Sequence, residues 1–244
     1  MIALRFTTIV DAPLTVAFDV ARALGRPWGV PLQELESVRP QRDRYALVDQ
    51  RGRSVIHTRR FTATGSGTRV DEDVQWFPRR RLTGAGERRR VRRALLFHLE
   101  AYAAAATERA LEVVQVVGAA VIQGGRLLVA RRAGGPYDGC WEFPGGKVEQ
   151  DETDGTGLVR EIREELGIEI EPQGFLGEVV LDGAVGGGSP GASTLRVWRC
   201  RLADGVPEAR EHAELRWVAA AELDTLDWIA ADRPLLPAVR PHLR

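Results

Sequence analysis

The sequence has few of the features that mark secreted or membrane proteins. Only two of its 244 residues are cysteines, Cys140 and Cys200, and no metal-ligand spacing relates them. Both are expected to be reduced thiols, which excludes a disulfide-stapled scaffold and fits a reducing compartment. No run of 18 or more apolar residues occurs, and the N-terminus lacks the basic start and apolar core of a signal peptide. These absences predict a cytoplasmic protein without membrane association.

Lysine is nearly absent as well, because arginine fills every basic position except Lys147. The balance of 34 basic and 34 acidic residues hides a division along the chain. Residues 1–110 carry 20 arginines and 12 acids, a net charge of +8, whereas residues 111–244 carry 14 basic residues and 22 acids, a net charge of −8. The division predicts two domains with different roles, 1–110 and 111–244.

The pattern from residue 111 onward predicts a mixed α/β domain. β-branched apolar runs at 113–122 and 126–132 flank a Gly124-Gly125 turn and predict a hairpin. A glycine-rich stretch at 183–191 predicts a mobile loop, and two late prolines predict short helical pieces at the end. Further strands are predicted near 174–181, 193–202 and 213–218.

A helix is predicted from about 153 to 166, because Leu158, Ile162 and Leu166 recur at four-residue spacing. Asp151 or Thr153 can cap its start, and Gly167 stands where a left-handed cap ends a helix. Gly155 and Gly157 each cost up to about 1 kcal/mol relative to alanine inside a helix, which predicts a loose first turn.

This helix gathers three glutamates on one face, Glu161, Glu164 and Glu165, since residues three and four apart are neighbours. Each like-charge pair costs roughly 0.2–0.5 kcal/mol. One interpretation is a solvated acidic face eased by nearby arginines. The other is a site for a hard divalent cation, which binds carboxylate and carbonyl oxygens and keeps water and phosphate as further ligands. A preceding Gly-Gly turn and a further carboxylate, Glu152, favour the cation site.

The spacing of these residues resembles the Nudix box at every position. A chance match to such a pattern has a frequency on the order of 10⁻⁶ at ordinary residue usage. The matching positions are Gly146, Glu152, Arg160-Glu161-Ile162, Glu164-Glu165 and Gly167-Ile168.

Nudix hydrolases are α/β/α sandwiches with a mixed sheet, and they use Mg²⁺ or Mn²⁺ to cleave nucleoside diphosphates linked to another group. The resemblance implies this fold and cofactor for residues 111–244. It also implies that Arg160 orients Glu161, one candidate for the base that accepts the proton of water. The metal lowers the pKa of that water and neutralises phosphate charge. The implied metal ligands and their support are Glu161, Glu164, Glu165, the Gly145 carbonyl and Glu152.

Three more segments resemble MutT-type nucleoside triphosphate pyrophosphohydrolases, and most of all their CTP pyrophosphohydrolase branch: "VARRAGG…CWEFPGGKVE", "EHAELRWVAAAEL" and "DWIAADRPLL". In such enzymes a glutamate six residues before a tryptophan supplies a further metal ligand or base. Here this is Glu211, for which a surface charge is the alternative. The phosphate-gripping arginine of the family corresponds to Arg132 rather than Arg131. Lys147, the single retained lysine, is a further candidate for substrate binding.

The resemblance implies that Asp232, which stands where MutT proper has an asparagine, recognises the base. A carboxylate only accepts hydrogen bonds, so it favours a base with an amine donor, such as N4 of cytosine. A helix cap is the competing interpretation of Asp232. Phe143 and Trp228 are candidates for stacking on a base, with core packing as the alternative for Trp228. Oxidised purine nucleotides also present amine donors and stay open.

The first half resembles START-like or polyketide-cyclase-like helix-grip domains in its predicted order of strand, helix, antiparallel strands and long helix. "VDAP…AFD" and "GTRVDEDVQW" carry the resemblance, which implies a pocket for an apolar small ligand. The arginines at 79–81 and 88–93 suggest nucleic acid, but a solvated face or a surface docking onto the acidic half is favoured. The isolated histidines, His57, His98 and His212, are expected to be structural or exposed.

Two classes of function follow. The first is an enzyme that cleaves a nucleoside triphosphate to monophosphate and pyrophosphate, on cytosine or on modified and oxidised nucleotides in sanitation of the nucleotide pool. Within this class, a sugar nucleotide or dinucleotide is the alternative substrate. The second is a nucleotide-sensing regulatory protein. Retention of all box glutamates favours the enzyme, and the sequence leaves the oligomeric state open.

Overall fold

The computed structural model describes residues 1–28, 31–48, 54–64, 67–77, 84–149, 151–181 and 193–244. Over these residues the chain divides into two compact units, Met1–Glu112 and Val113–Arg244. The loop predicted at 183–191 and the arginines at 79–81 lie outside the described residues. In the described part of the chain, no helix combines the length and apolar character needed to cross a membrane. Both cysteines are free thiols.

The first unit is a five-stranded antiparallel sheet with two helices. The sheet order is β1-β5-β4-β3-β2, so the first strand pairs with the last. The predicted order of elements is found, with β2 as an additional edge strand, while the helix-grip assignment stays a prediction. In chain order the elements are β1 (Ile2–Val10), α1 (Leu14–Ala23), β2 (Gln33–Val38), β3 (Arg42–Val48), β4 (Ser54–Thr64), β5 (Gly67–Trp76) and α2 (Gly84–Ala110).

The inner face of this sheet, on which the two helices pack, contains buried charged groups as well as apolar ones. The buried Arg59 guanidinium donates to both carboxylate oxygens of Asp43, at 3.1 and 2.6 Å. The buried His57 ring accepts a hydrogen bond at Nδ1 from Trp28 and lies 3.4 Å from Glu72. Buried charges are tolerated where they are paired in this way. Such groups are not typical of an apolar pocket, and the apolar ligand stays a prediction.

The second unit is built on a six-stranded mixed sheet, as predicted. Its order is β11-β7-β6-β10-β9, with β8 paired to β7. The central pair β6 and β10 is parallel, and the other pairings among the described strands are antiparallel. The elements are β6 (Val114–Gln123), β7 (Arg126–Arg132), β8 (Trp141–Glu142), α3 (Asp154–Leu166), β9 (Glu169–Val180), β10 (Ser193–Asp204), β11 (His212–Val218), three short 3-10 turns (Leu223–Thr225, Arg233–Leu235, Arg240–His242) and α4 (Leu236–Val239).

Each face of this sheet is covered by a separate apolar cluster. Leu158, Ile162 and Leu166 of α3 are fully buried in a cluster with residues of β6, β9 and β10 on one face. The C-terminal turns and α4 cover the other face, where Trp141 and Trp228 belong to the core. The α/β/α sandwich predicted for this half is confirmed.

The first turn of α3 is well fixed despite its glycines. Thr153 caps the helix, and its side chain and that of Thr156 bond reciprocally to each other's backbone N–H groups. Gly157 also has a packing reason, because a β-carbon there would come 3.0 Å from the Glu152 carboxylate. The predicted loose turn is therefore wrong, since the cap and the approach of Glu152 hold this segment. Gly167 ends the helix with φ of 68°, as predicted.

A buried ion pair ties the start of α3 to the sheet. The Arg196 guanidinium lies 2.5 Å from the Asp154 carboxylate and 3.5 Å from that of Glu178, and all three side chains are at most 8% exposed. Arg196→Leu is expected to lower the free energy of unfolding by about 3–5 kcal/mol, because it leaves two buried carboxylates without this cation. Denaturant unfolding measures the loss. The matched control is Arg201→Leu on the same strand, whose exposed pair with Glu171 is worth about 1 kcal/mol or less; equal losses would contradict the expectation.

Candidate active site

Two consecutive glycines bring the backbone directly against the acidic helix. Gly145 has φ of +147°, and a β-carbon there would lie 2.1 Å from the Val117 carbonyl oxygen of β6. At Gly146 a β-carbon would lie 2.3 Å from the carboxyl carbon of Glu161. At Gly145 only a residue without a side chain fits, because the close atoms are backbone, whereas at Gly146 a β-carbon would displace the Glu161 carboxylate. The glycine pair thus creates the space that the Glu161 carboxylate fills.

Glu165 lies beside this turn in a partly buried position. Its Oε2 accepts a hydrogen bond from the Gly145 N–H at 3.0 Å. Burial raises the pKa of Glu165 to about 7, and the charges of Glu161 and Glu142 add smaller upward shifts. The charge of His212 and the hydrogen bond from the Gly145 N–H lower the pKa, but by less than burial raises it. The protein's own groups therefore do not compensate the charge of this carboxylate.

Arg160 connects the other carboxylates of the site. It donates to both oxygens of Glu152 at 2.8 Å and lies 2.9 Å from Glu161 and 3.2 Å from Glu164. Hydrogen bonds from Arg160, and one from the Glu149 N–H, lower the pKa of Glu152 to about 2. The structure thus brings together Arg160 and Glu161, the predicted orienting pair.

The donor chemistry of this cluster fits a hard divalent cation. Glu161, Glu164 and Glu165 offer carboxylate oxygens, and no hydrogen bond from a described residue reaches the Gly145 carbonyl. As they stand, no three acidic, histidine or cysteine side chains of the described residues group closely enough to hold a metal ion. The Arg160 guanidinium instead forms ion pairs with Glu152, Glu161 and Glu164. The poorly compensated Glu165 is the feature that a bound cation would stabilise.

A cleft of about 170 Å³ adjoins the acidic cluster. Arg132 lines it and donates to Glu142 at 2.8 Å, whereas Arg131 lies apart from it and bonds to the Gly139 carbonyl. This difference follows from the alternation of side chains along β7. The sequence-predicted residues that line the cleft are Arg132, Phe143, Gly145, Gly146, Lys147 and Asp232.

Asp232 is 4% exposed, and its Oδ2 accepts a hydrogen bond from the Phe143 N–H at 2.8 Å. It precedes a 3-10 turn, yet its side chain caps no backbone group there, so the helix-cap interpretation is wrong. Burial raises the pKa of Asp232 to about 7. The expectation that it only accepts hydrogen bonds therefore holds above pH 7, because the protonated carboxyl also donates.

The two aromatic candidates pack on each other, with ring centroids 5.3 Å apart. Trp228 is buried, and its indole N–H donates to the Leu223 carbonyl, which makes it a core residue. The stacking interpretation of Trp228 is wrong because its ring is enclosed by this core. Phe143 is also 5% exposed, so it presents only a small surface to the cleft.

Glu211 stands exposed at the start of β11, and no hydrogen bond or ion pair joins it to another described residue. Its neighbour His212 reaches the site instead, 3.4 Å from Glu142. Burial lowers the pKa of His212, but the hydrogen bond to Glu142 and the charge of Glu165 outweigh it and raise the pKa. The Glu142–His212 pair was missed in the sequence, where no spacing relates residues of two different strands.

The comparisons with known proteins concern the second unit. A protein-family model described as NUDIX domain matches residues 113–239. The chain is 44% identical over 119 residues to the Mycobacterium tuberculosis protein named "Putative 8-oxo-dGTP diphosphatase 2", covering 48% of this chain and 82% of that protein. It is 38% identical over 135 residues to the CTP pyrophosphohydrolase of Escherichia coli, covering 52% and 92%. The crystal structure of a MutT NUDIX hydrolase from Burkholderia pseudomallei matches at 34% identity with a TM-score of 0.46, over 52% of this chain and 97% of that one.

Proposed function

Since the chain belongs to the Nudix hydrolase family through residues 113–239, we propose that it is a Mg²⁺-dependent pyrophosphohydrolase of nucleoside triphosphates. Water attacks within the triphosphate, and the products are a nucleoside monophosphate and pyrophosphate. The carrying observation is the poorly compensated Glu165 carboxylate, bonded to the Gly145 N–H at 3.0 Å beside the Glu161 carboxylate. A divalent cation bound there would supply the positive charge that this arrangement lacks, and it would also attract the anionic polyphosphate.

Each proposed role follows from the position of a side chain. Glu161, Glu164, Glu165 and the Gly145 carbonyl would hold Mg²⁺, which when bound neutralises phosphate charge and lowers the pKa of water. Arg160 holds the Glu161 carboxylate at 2.9 Å, and Glu161 is a candidate acceptor for the proton of the attacking water. Glu152 supports the site by fixing Arg160. Arg132 and Lys147, at the mouth of the cleft, would contact the phosphates.

Glu211 is proposed to act as a further metal ligand or base. Because it is exposed and no hydrogen bond or ion pair joins it to another described residue, this role requires that substrate or metal bring it into the site. The proximity of His212 to Glu142 and Glu165 supports the view that this end of β11 belongs to the site.

The proposed substrates are cytosine nucleotides, or modified and oxidised deoxynucleoside triphosphates. Ionised Asp232 would accept from an exocyclic amine, and Phe143 would contact the base edge-on at the cleft. The names of the relatives, one for CTP and one for 8-oxo-dGTP, support both substrate classes. A sugar nucleotide or dinucleotide is the second candidate substrate. The acidic cluster would contact only the metal and the diphosphate, so it does not select the group that is linked to the diphosphate. Nucleotide sensing without turnover is the third.

A substrate panel tests the proposal. Pyrophosphate release is measured with canonical, methylated and oxidised nucleoside triphosphates, and sugar nucleotides are assayed by product chromatography, with Mg²⁺, Mn²⁺ or a chelator. Rapid metal-dependent cleavage of triphosphates supports the proposal. Cleavage of sugar nucleotides alone would leave the family intact and replace the substrate, whereas binding without any turnover would favour the sensing role.

Asp232→Asn is expected to redirect the base preference. The amide retains an oxygen for the Phe143 N–H but adds a donor, so the kcat/KM ratio of cytosine to other bases should fall about tenfold to 100-fold, or 1–3 kcal/mol. In the wild type the same ratio should rise from pH 6 to pH 8 as Asp232 ionises near pH 7. Competition assays at both pH values measure it. An unchanged ratio in the variant would remove Asp232 from base recognition.

A further inference from the structure

The outer face of the first unit's sheet, which points away from α1 and α2, carries an uneven set of charges. It encloses a depression of about 750 Å³. Side chains alternate along the strands, so that Val70 and Val74 are buried while their neighbours in β5 face outward. The outward charged residues at the depression are five arginines, Arg5, Arg42, Arg44, Arg60 and Arg69, and three acids, Glu36, Asp71 and Asp73.

Three of these arginines are paired with the three acids. Arg5 contacts Asp73 at 2.9 Å, and Arg69 contacts Asp71 at 2.9 Å. Arg42 pairs with Glu36. Arg44 and Arg60 have no ion pair with any residue in the described ranges. The depression therefore carries an excess of two positive charges, although the charge of Arg60 also acts on Asp71 across the strand pair.

The strand register places these two charges close together. Arg60 lies directly opposite Arg42, and Arg44 lies directly opposite Thr58, the residue two before Arg60. Arg44 and Arg60 are thus diagonal neighbours on one face, at a Cα separation of about 7–8 Å that long side chains bridge. The acid opposite each of them, Glu36 or Asp71, is held by another arginine.

Like charges at neighbouring positions of a sheet destabilise it, unless an opposite charge joins them. We propose that Arg44 and Arg60, with the Thr58 hydroxyl between them, bind a phosphate dianion, either inorganic phosphate or a small phosphomonoester. Two guanidinium groups offer forked donors that match phosphate oxygens, and their charge equals that of the dianion.

The surface favours a small phosphate over single-stranded nucleic acid. Binding of a strand relies on aromatic rings on which bases stack. Among the described lining residues the one aromatic is Phe6, and it packs with Leu4 and Trp76 in the core of the unit. The net charge of +8 on residues 1–110 attracts either anion to this half, but the described lining residues offer a strand no exposed aromatic ring on which its bases could stack.

Calorimetric titration of the full chain with inorganic phosphate, in the presence of a chelator, tests the proposal. One saturable site per chain is expected. The double variant Arg44→Gln with Arg60→Gln should weaken binding at least about tenfold. The double variant Arg89→Gln with Arg93→Gln lowers the net charge of the unit equally, at exposed positions of α2, and should change the affinity by less than about twofold. Circular dichroism checks that both variants fold.

Two further titrations test which unit binds the phosphate and whether a phosphomonoester occupies the same site. Arg132→Gln should leave phosphate binding unchanged, because Arg132 belongs to the cleft of the other unit, and a nucleoside monophosphate should compete with phosphate. The proposal is overturned by the absence of saturable binding up to tens of millimolar phosphate, by equal losses in the two double variants, or by loss of the site in Arg132→Gln. Binding of a single-stranded oligonucleotide without phosphate binding would also overturn it, in favour of a nucleic-acid surface.

Discussion

Gly146→Ala is expected to lower kcat/KM about 100-fold without unfolding the protein. The new β-carbon would lie 2.3–2.6 Å from three atoms of the Glu161 carboxyl group. Restoring ordinary contact requires that this carboxyl move by about 1 Å, and a displacement of that size in a reacting group costs on the order of 100-fold. The fold is preserved because the displaced group is the end of a flexible side chain. Pyrophosphate release by the variant, compared with the wild type, measures the effect.

The matched control is Gly155→Ala in the first turn of the same helix. A β-carbon at Gly155 meets only the Thr153 hydroxyl at 3.9 Å, an ordinary contact. This variant should keep wild-type activity and gain up to about 1 kcal/mol of stability from helix propensity. Full activity of Gly146→Ala would show that the position of Glu161 is not important for turnover.

The second large effect concerns the stability of the metal-free protein. The pKa of Glu165 is raised from 4.5 to about 7, mainly by burial. Below pH 4.5 the group is protonated in both states and has no effect. Between pH 4.5 and 7 only the unfolded chain releases the proton, so stability falls as pH rises, by about 3 kcal/mol in all. Above pH 7 the loss is complete. Glu165→Gln should remove this fall and be the more stable protein at pH 8 without metal.

Glu164→Gln separates titration from metal binding. The Glu164 side chain is 57% exposed, and its replacement leaves the burial of Glu165 in place, so the fall in metal-free stability that Glu165 causes should remain. Both variants should lose part of the stabilisation that Mg²⁺ gives the wild type. Denaturant unfolding of the wild type and both variants at pH 5 and pH 8, with chelator or with Mg²⁺, measures the pH dependence of stability and the stabilisation by metal. A wild type whose metal-free stability does not fall relative to Glu165→Gln would contradict the raised pKa.

The sequence predicted the elements in which local and global preferences agree. α3 was predictable because Leu158, Ile162 and Leu166 mark its buried face and Thr153 and Gly167 mark its ends. The hairpin of β6 and β7 was predictable from two apolar runs around a Gly-Gly turn. The edge strand β2 was missed, because an almost wholly exposed strand carries no apolar alternation.

Features that depend on distant residues could not be predicted. Glu142 and His212 meet only because β8 and β11 both pair with β7. The pKa of Asp232 depends on burial among C-terminal turns, and the pair of Arg196 with Asp154 joins a strand to a helix 42 positions earlier in the sequence. In each case the sequence shows the residue type, but it does not show which distant residue becomes its neighbour in the fold.

The position of Arg160 among three glutamates has a consequence for metal exchange. The guanidinium already neutralises Glu152 and touches Glu161 and Glu164, so the acidic helix holds an internal counter-ion. The proposed Mg²⁺ would have to compete with the Arg160 guanidinium for two of its ligands, so its net affinity would be reduced by the ion pairs that it replaces. The proposed cation should consequently bind reversibly and together with the substrate, rather than as a permanent part of the fold.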